Sequence, residues 1–254
     1  MIYIEKILFL GYEDCKLLTF LQEHYNVIQT KDKITIENVK NVDHIISFGY
    51  KHIIPENIIK FFNNKIINLH ISYLPYNRGY HPNFWSFKDN TPKGVTIHYI
   101  DKGIDTGEIL LQKEINFNKE EDTLSKTYNR LIEEIQNLFI ENYFSILNNI
   151  IKPTSQQHKG TFHYQKDLKK YKHLLIKDWN TKTNKIMAKN RTDLEIIDEV
   201  ENIRTKNNVN WMDILRLAFK HAPEDARTLM GRVNEYDGRI SELLTELANN
   251  GESN

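Results

Sequence analysis

The chain has 254 residues, of which 40% are hydrophobic and 27% charged, with 13 Tyr and 12 Phe; this composition is globular rather than disordered and leaves room for one large domain and a small one. Thirty-four Lys+Arg balance 34 Asp+Glu, so the net charge is zero, with no global basic footprint for nucleic acid and no general pull toward anionic membranes. Cys15 is the only cysteine, which excludes an intrachain disulfide and a cysteine-based zinc site and suits a reducing cytosol. No apolar run reaches the roughly 18 residues of a membrane span. The segment Met1-Ile2-Tyr3-Ile4-Glu5-Lys6 lacks a signal-peptide layout, so a cytoplasmic chain is expected, without membrane or nucleic-acid partners.

Lys6 to Gly11 is a short apolar run ending in glycine, followed by Asp14 as N-cap candidate and Leu17, Leu18 and Leu21 at helical spacing. Gly11 stands alone after this strand, without the G-x-G-x-x-G of a dinucleotide site, so NAD is not expected. Val27-Ile28 and Val42 to Gly49 read as further strands, and Pro55 opens a helix carrying Ile58, Ile59 and Phe62. Ile66 to His70 is a strand apolar enough for the middle of a mostly parallel sheet covered on both faces.

Asn83 to Asn90 reads as a short helix, and Gly94 to Ile100 and Glu108 to Ile115 as strands. The short loop between these two strands, with Gly103 and Gly107, makes them antiparallel neighbours. Thr123 to about Ile150 has Leu124, Tyr128, Leu131, Ile132, Ile135, Leu138, Phe139 and Tyr143 in helical register, a long core helix without chemistry of its own. Pro153 ends this helix, Lys152 to Gly160 reads as a polar connector, and residues 151–188 as a whole read as a connector with a possible strand or rim segment. Residues 189–254 read as a three-helix module: a capping box at Thr192 and Glu195, a second helix from Asn210, and a third from Pro223. The fold expected is therefore α/β, a Rossmann-like domain over 1–150 with a small helical C-terminal module.

Ligands gather at the carboxyl ends of strands in such sheets, where Asn68 and His70 fall. Two residues apart on a strand, they face the same way, and Asp105 comes from the neighbouring glycine loop. An imidazole can take a proton from an attacking amine, a carboxylate can orient it, and an amide N–H can stabilise a developing oxyanion. The trio suits acyl transfer to an amine, although residues of these types also serve as local hydrogen bonders and turn formers. Ser72 lies close by without a G-x-S-x-G elbow around it, which argues against a covalent hydrolase.

The run Asn68-Leu69-His70-Ile71-Ser72-Tyr73-Leu74-Pro75, then Arg78-Gly79, then Asp101-Lys102-Gly103-Ile104-Asp105-Thr106-Gly107, resembles the signature of the folate-dependent formyltransferases over about residues 6–150. The resemblance implies Asn68 at the oxyanion, His70 assisting the amine or stabilising the tetrahedral intermediate, and Asp105 orienting His70 or relaying protons, with 10-formyltetrahydrofolate as donor and no metal. Ser47 to Pro55 is similar to the loop that holds the pterin in this family, which implies Phe48, Gly49, Tyr50, Ile53, Ile54 and Asp101 on the folate side.

The segment Tyr76 to Trp85 is most similar to the sugar N-formyltransferase branch, which implies Tyr76, Arg78, Gly79, Tyr80, His81, Asn83, Phe84 and Trp85 at the acceptor. The implied acceptor is a dTDP-linked amino sugar, dTDP-4-amino-4,6-dideoxyglucose, formylated for O-antigen biosynthesis by a homodimer. Arg78 could meet a pyrophosphate through its planar fork, and Trp85, Phe84 or Tyr80 could stack on thymine or simply pack. The alternatives are a hydrolase passing the same formyl group to water and a non-catalytic protein working through its helical tail. The tail departs from the family pattern, and residues 188–254 carry 9 Lys+Arg against 13 Asp+Glu, unlike an RNA-facing domain.

Overall fold

In a computed structural model of the chain, residues 5–187, 197 and 219–250 are described. The first half alternates strand and helix: β1 (Lys6–Gly11), α1 (Lys16–His24), β2 (Asn26–Thr30), α2 (Ile36–Val39), β3 (His44–Phe48), α3 (Glu56–Phe61) and β4 (Ile67–His70). There follow β5 (Arg78–Gly79), α4 (Pro82–Lys88), β6 (Gly94–Tyr99), β7 (Ile109–Glu114) and α5 (Leu124–Leu147). Then come β8 (Phe162–His163), a 3-10 helix (Gln165–Leu174), β9 (Ile176–Trp179), α6 (Thr183–Ile186) and α7 (Pro223–Asn250).

Six strands form one sheet in the order β2-β1-β3-β4-β6-β7. β2, β1, β3 and β4 run parallel, as strand-helix-strand units require, whereas β6 and β7 run antiparallel to their neighbours. β4 thus sits where the sheet changes from parallel to antiparallel, with Asn68 directly opposite His98 of β6.

Each face of the sheet is covered. On one side Phe9, Ile46, Ile67 and Ile97 pack with Leu17 and Leu21 of α1 and with Leu131, Ile135 and Phe139 of α5. On the other, Leu8, Leu10 and Ile45 pack with Val39 of α2 and Ile58 and Ile59 of α3. The N-cap of α1 is Cys15 rather than Asp14, and its side chain caps nothing. The Leu17 N–H donates instead to Gln136 Oε1 of α5 at 2.9 Å, so one orphan donor of a helix N-terminus is satisfied across the core.

By its contacts the chain divides into two compact units, Met1–Ala188 and Lys189–Asn254. In the second, Ile240 and Leu243 of α7 are buried with Leu247 against them. The helices expected from Thr192 and from Asn210 lie outside the described residues, apart from the helical Ile197 and the helical residues 219–221 that follow the second. Among the described residues no helix is long and apolar enough to cross a membrane.

Candidate active site

The end of β4 and the loop after β6 bring four polar side chains together. Asp105 has a left-handed backbone, φ 53°, which turns its carboxylate back toward the sheet. Its Oδ2 accepts the Gly79 N–H at 2.9 Å, and its Oδ1 accepts from Asn68 Nδ2 at 3.3 Å. His70 Nδ1 lies 3.7 Å from Oδ2 and His98 Nε2 lies 3.5 Å from Oδ1. Asn68, His70 and Asp105 therefore meet, as alternation along a strand and the following glycine loop predict.

His98 is the member that reading the chain missed. It occupies an alternating strand position like any aromatic, and only the β4–β6 register sets it against Asn68. A carbonyl oxygen can only accept, so the 2.7 Å contact of His98 Nδ1 with the Tyr99 carbonyl places the proton on Nδ1. Nε2 is then an acceptor for Asn68 Nδ2 at 3.1 Å, which fixes which way the Asn68 amide points.

The same reasoning sets the tautomer of His70. Its Nε2 lies 3.2 Å from the Asn77 carbonyl and so carries the proton, which leaves Nδ1 as the basic atom beside Asp105. Burial lowers the His70 pKa, a tendency that Asp105 opposes and His98 reinforces. Burial pushes Asp105 up, but the imidazoles of His70 and His98, in the protonated forms they take at the low pH where a carboxyl titrates, and the Gly79 N–H outweigh it and hold the carboxyl well below the usual range. The result is a neutral imidazole next to an ionised carboxylate, an arrangement that can accept a proton and stabilise the cation so formed. Ser72 is buried and donates to the Tyr76 carbonyl at 2.8 Å, away from any base role.

The residues expected on the folate side divide. Phe48 and Ile54 are buried in the two core layers, and the Tyr50 hydroxyl donates to the Asp32 carbonyl at 2.7 Å. A Cβ on Gly49 would lie 2.5 Å from the Tyr12 ring at a φ of 73°, so the chain passes there only as glycine. Ile53 is 84% exposed. Asp101 is spent inside its own loop, accepting from Gly103 N and Thr106 Oγ1 at 2.9 and 2.6 Å. Ile100, which precedes it, packs against the same hydrophobic cluster as Tyr50 and Ile54.

On the acceptor side the expected group also separates. Tyr76 is half-buried and Tyr80 exposed. Asn83 and Phe84 are buried, Asn83 donating to the Leu124 carbonyl at 2.9 Å and accepting from Thr127 Oγ1 at 3.0 Å. Trp85 is stacked on His163 at 3.9 Å between centroids, so the ring expected to be available for a nucleobase is covered from within the protein. The Arg78 fork is engaged by Gln156 Oε1 from Nε and Nη2 at 3.2 and 2.6 Å, and Nη1 donates to the Lys159 carbonyl at 3.1 Å. At Gly79, with φ 88°, a Cβ would lie 2.4 Å from the His163 carbonyl oxygen.

A cavity of about 280 Å³ opens beside Ile71, lined among others by His81, Phe84, Tyr128 and Trp179. His81 lies nearly parallel to Trp179, 5.7 Å between centroids. Tyr128 shares a 2.7 Å hydrogen bond with the Tyr12 hydroxyl at the end of β1. By its helical spacing Tyr128 reads as core, and Trp179 falls within the segment that reads as connector. Among the described residues no His, Cys, Asp and Glu group could hold a metal.

Residues 19–142 match the family described as formyl transferase. The solved formyltransferase PseJ of Anoxybacillus kamchatkensis, in complex with UDP-4,6-dideoxy-4-formamido-L-AltNAc and tetrahydrofolate, is 45% identical with a TM-score of 0.69, over 72% of this chain and 97% of that one. The methionyl-tRNA formyltransferase of Thermodesulfovibrio yellowstonii is 37% identical over 61% of this chain and 50% of its own length. The dTDP-4-amino-4,6-dideoxyglucose formyltransferase of Mycobacterium tuberculosis is 30% identical over 57% of this chain and 61% of its own. The chain thus spans about half to three-fifths of these two curated relatives. With nearly all of a 45% identical formyltransferase covered, the chain belongs to the formyl transferase family.

Proposed function

We propose that this chain moves a formyl group from 10-formyltetrahydrofolate to the amine of a nucleotide-linked amino-deoxysugar. The observation that carries the reading is the cluster of Asn68, His70 and Asp105, in which a neutral imidazole nitrogen lies 3.7 Å from a carboxylate. The donor supplies an acyl carbon already attached to a leaving nitrogen. His70 Nδ1 takes the proton of the attacking amine, and Asp105 stabilises the imidazolium. Asn68 Nδ2 is held by His98 at 3.1 Å, and its longer 3.3 Å bond to Asp105 is the N–H that turns to the charge growing on the formyl oxygen. His70 then returns the proton to the leaving nitrogen. The exposed Ile53 and the 44% exposed Ile104 belong to the two segments assigned to the folate side, and they suit the flat face of an aromatic ring.

For the acceptor, the neighbour at 45% identity holds a UDP-linked sugar formylated at N4, which favours a UDP-linked 4-amino-4,6-dideoxyhexose. The mycobacterial relative favours the second reading, a dTDP-linked 4-amino-4,6-dideoxyglucose, for which O-antigen biosynthesis is the setting implied by the resemblance of residues 76–85. In either reading the cavity beside Ile71 receives the acceptor, between the His81–Trp179 pair and Tyr128.

The test is a panel in which 10-formyltetrahydrofolate is offered with UDP- and dTDP-linked 3- and 4-amino sugars, glycinamide ribonucleotide, methionyl-tRNA and water. Tetrahydrofolate release and a formyl mass on the sugar are expected with a 4-amino sugar. Release without any amine would establish the hydrolase, and turnover only on methionyl-tRNA would overturn the sugar assignment.

A further inference from the structure

Gln156 lies in the segment that reads as a mere polar connector, yet every hydrogen-bonding position of its side chain is used. Nε2 donates to the carbonyls of Asp105 and Gly107 at 2.9 and 2.8 Å. Oε1 accepts from Arg78 Nε and Nη2 at 3.2 and 2.6 Å. A guanidinium only donates and a carbonyl only accepts, so one orientation of the amide satisfies all four bonds and its reverse satisfies none.

The backbone around Gln156 is pinned on both sides. Thr154 exchanges two backbone hydrogen bonds with Ile109 at the start of β7, at 2.8 and 2.9 Å. Arg78 N donates to the Thr161 carbonyl and Tyr80 N to the His163 carbonyl, each at 3.0 Å. Residues 154–163 thus form a strap across the Asp105 loop and the Arg78-Gly79 strand. Among the hydrogen bonds of the described residues, these two segments meet at the site itself, through the Gly79 N–H and Asp105 Oδ2.

We infer that Gln156 is a positioning residue for formyl transfer, holding the Asp105 loop against the Arg78 strand so that the carboxylate stays seated beside His70. This rests on the formyl-transfer reading above. It gives Arg78 a different first task from the pyrophosphate contact suggested by its sequence context: the fork closes the bracket, and its remaining N–H groups are what an acceptor can meet.

Two substitutions in the full chain test this. Gln156→Met keeps the bulk and removes all four bonds. Gln156→Glu keeps an acceptor for Arg78 but sets a carboxylate oxygen against two carbonyl oxygens. With the best acceptor from the panel, both variants should lose about 10- to 100-fold in kcat, the cost of a displaced catalytic group, while KM for the folate donor stays within about twofold.

Hydrogen exchange at the Gly79 amide, which Asp105 holds, should quicken about tenfold, in line with the modest energy of one hydrogen bond, with the Ile46 amide of the core unchanged. Full activity in Gln156→Met, rescue by Gln156→Glu, or unchanged Gly79 exchange would each overturn the proposal. A wild-type chain inert toward every acceptor would instead remove the formyl-transfer reading and this role with it. An active wild type with indifferent variants removes the role of Gln156 alone.

Discussion

The proton of neutral His70 sits on Nε2, held by the Asn77 carbonyl, while Nδ1 faces the carboxylate of Asp105. Burial keeps this imidazole neutral to a lower pH than the ordinary 6.5, so the acidic limb of a kcat/KM profile should lie below pH 6.5. Asp105→Asn removes the charge that favours the imidazolium, so the residual activity should show that limb at still lower pH. A limb above 6.5 in the wild type would contradict the assignment of His70 as base. His70→Ala should cost about 10² to 10⁴ in kcat. The linkage to folding has a fixed sign. Below pH 6.5 the unfolded chain protonates this histidine before the folded one does, so its contribution to stability falls as pH drops. The depressed Asp105 contributes fully above the ordinary 3.8 and loses that contribution only as pH falls below it. Asn68, His70 and Asp105 were legible because a two-residue step on a strand and a glycine loop leave chemical marks. His98 was not, because its partner is set by the β4–β6 register, which no local pattern encodes.

β4 has a parallel neighbour on one side and an antiparallel one on the other, and the change of direction is what lets a short loop carry Asp105 back over the strand end. The elements themselves were readable from periodicity: each strand and helix expected between Lys6 and Ile150 is present near its expected bounds. What periodicity cannot show is which polar side chain inside an amphipathic helix satisfies another element. Gln136, a polar residue within the amphipathic α5, is buried and accepts the Leu17 N–H at 2.9 Å. Gln136→Leu keeps the volume and leaves that donor unpaired at the start of α1. Urea unfolding should show a loss of about 1 to 3 kcal/mol, with the Leu17 amide losing protection first. A variant as stable as the wild type would mean that water or a shifted helix end takes over the bond. The bonds made by the connector after α5 are hidden for the same reason, since a Gln looks alike whether it meets solvent or, like Gln156, the distant Asp105 carbonyl.

Every side chain placed at the transfer site belongs to the unit Met1–Ala188, which has three hydrophobic clusters of its own. The unit Lys189–Asn254 buries a separate pair, Ile240 and Leu243, and carries the acid-rich share of the charge. The Anoxybacillus formyltransferase is covered over 97% of its length by only 72% of this chain, so a folded relative manages without a counterpart to the rest. With every described site residue in the first unit and a buried cluster within each, the two are expected to contribute nearly additively. A chain ending after Ala188 is therefore expected to fold and to keep kcat on the best acceptor within about twofold of the full chain, the spread ordinary for uncoupled sites. The measurement pairs steady-state turnover with a thermal melt of the shortened chain. A melt like that of the full protein together with a tenfold lower kcat would place part of the catalytic apparatus in residues 189–254.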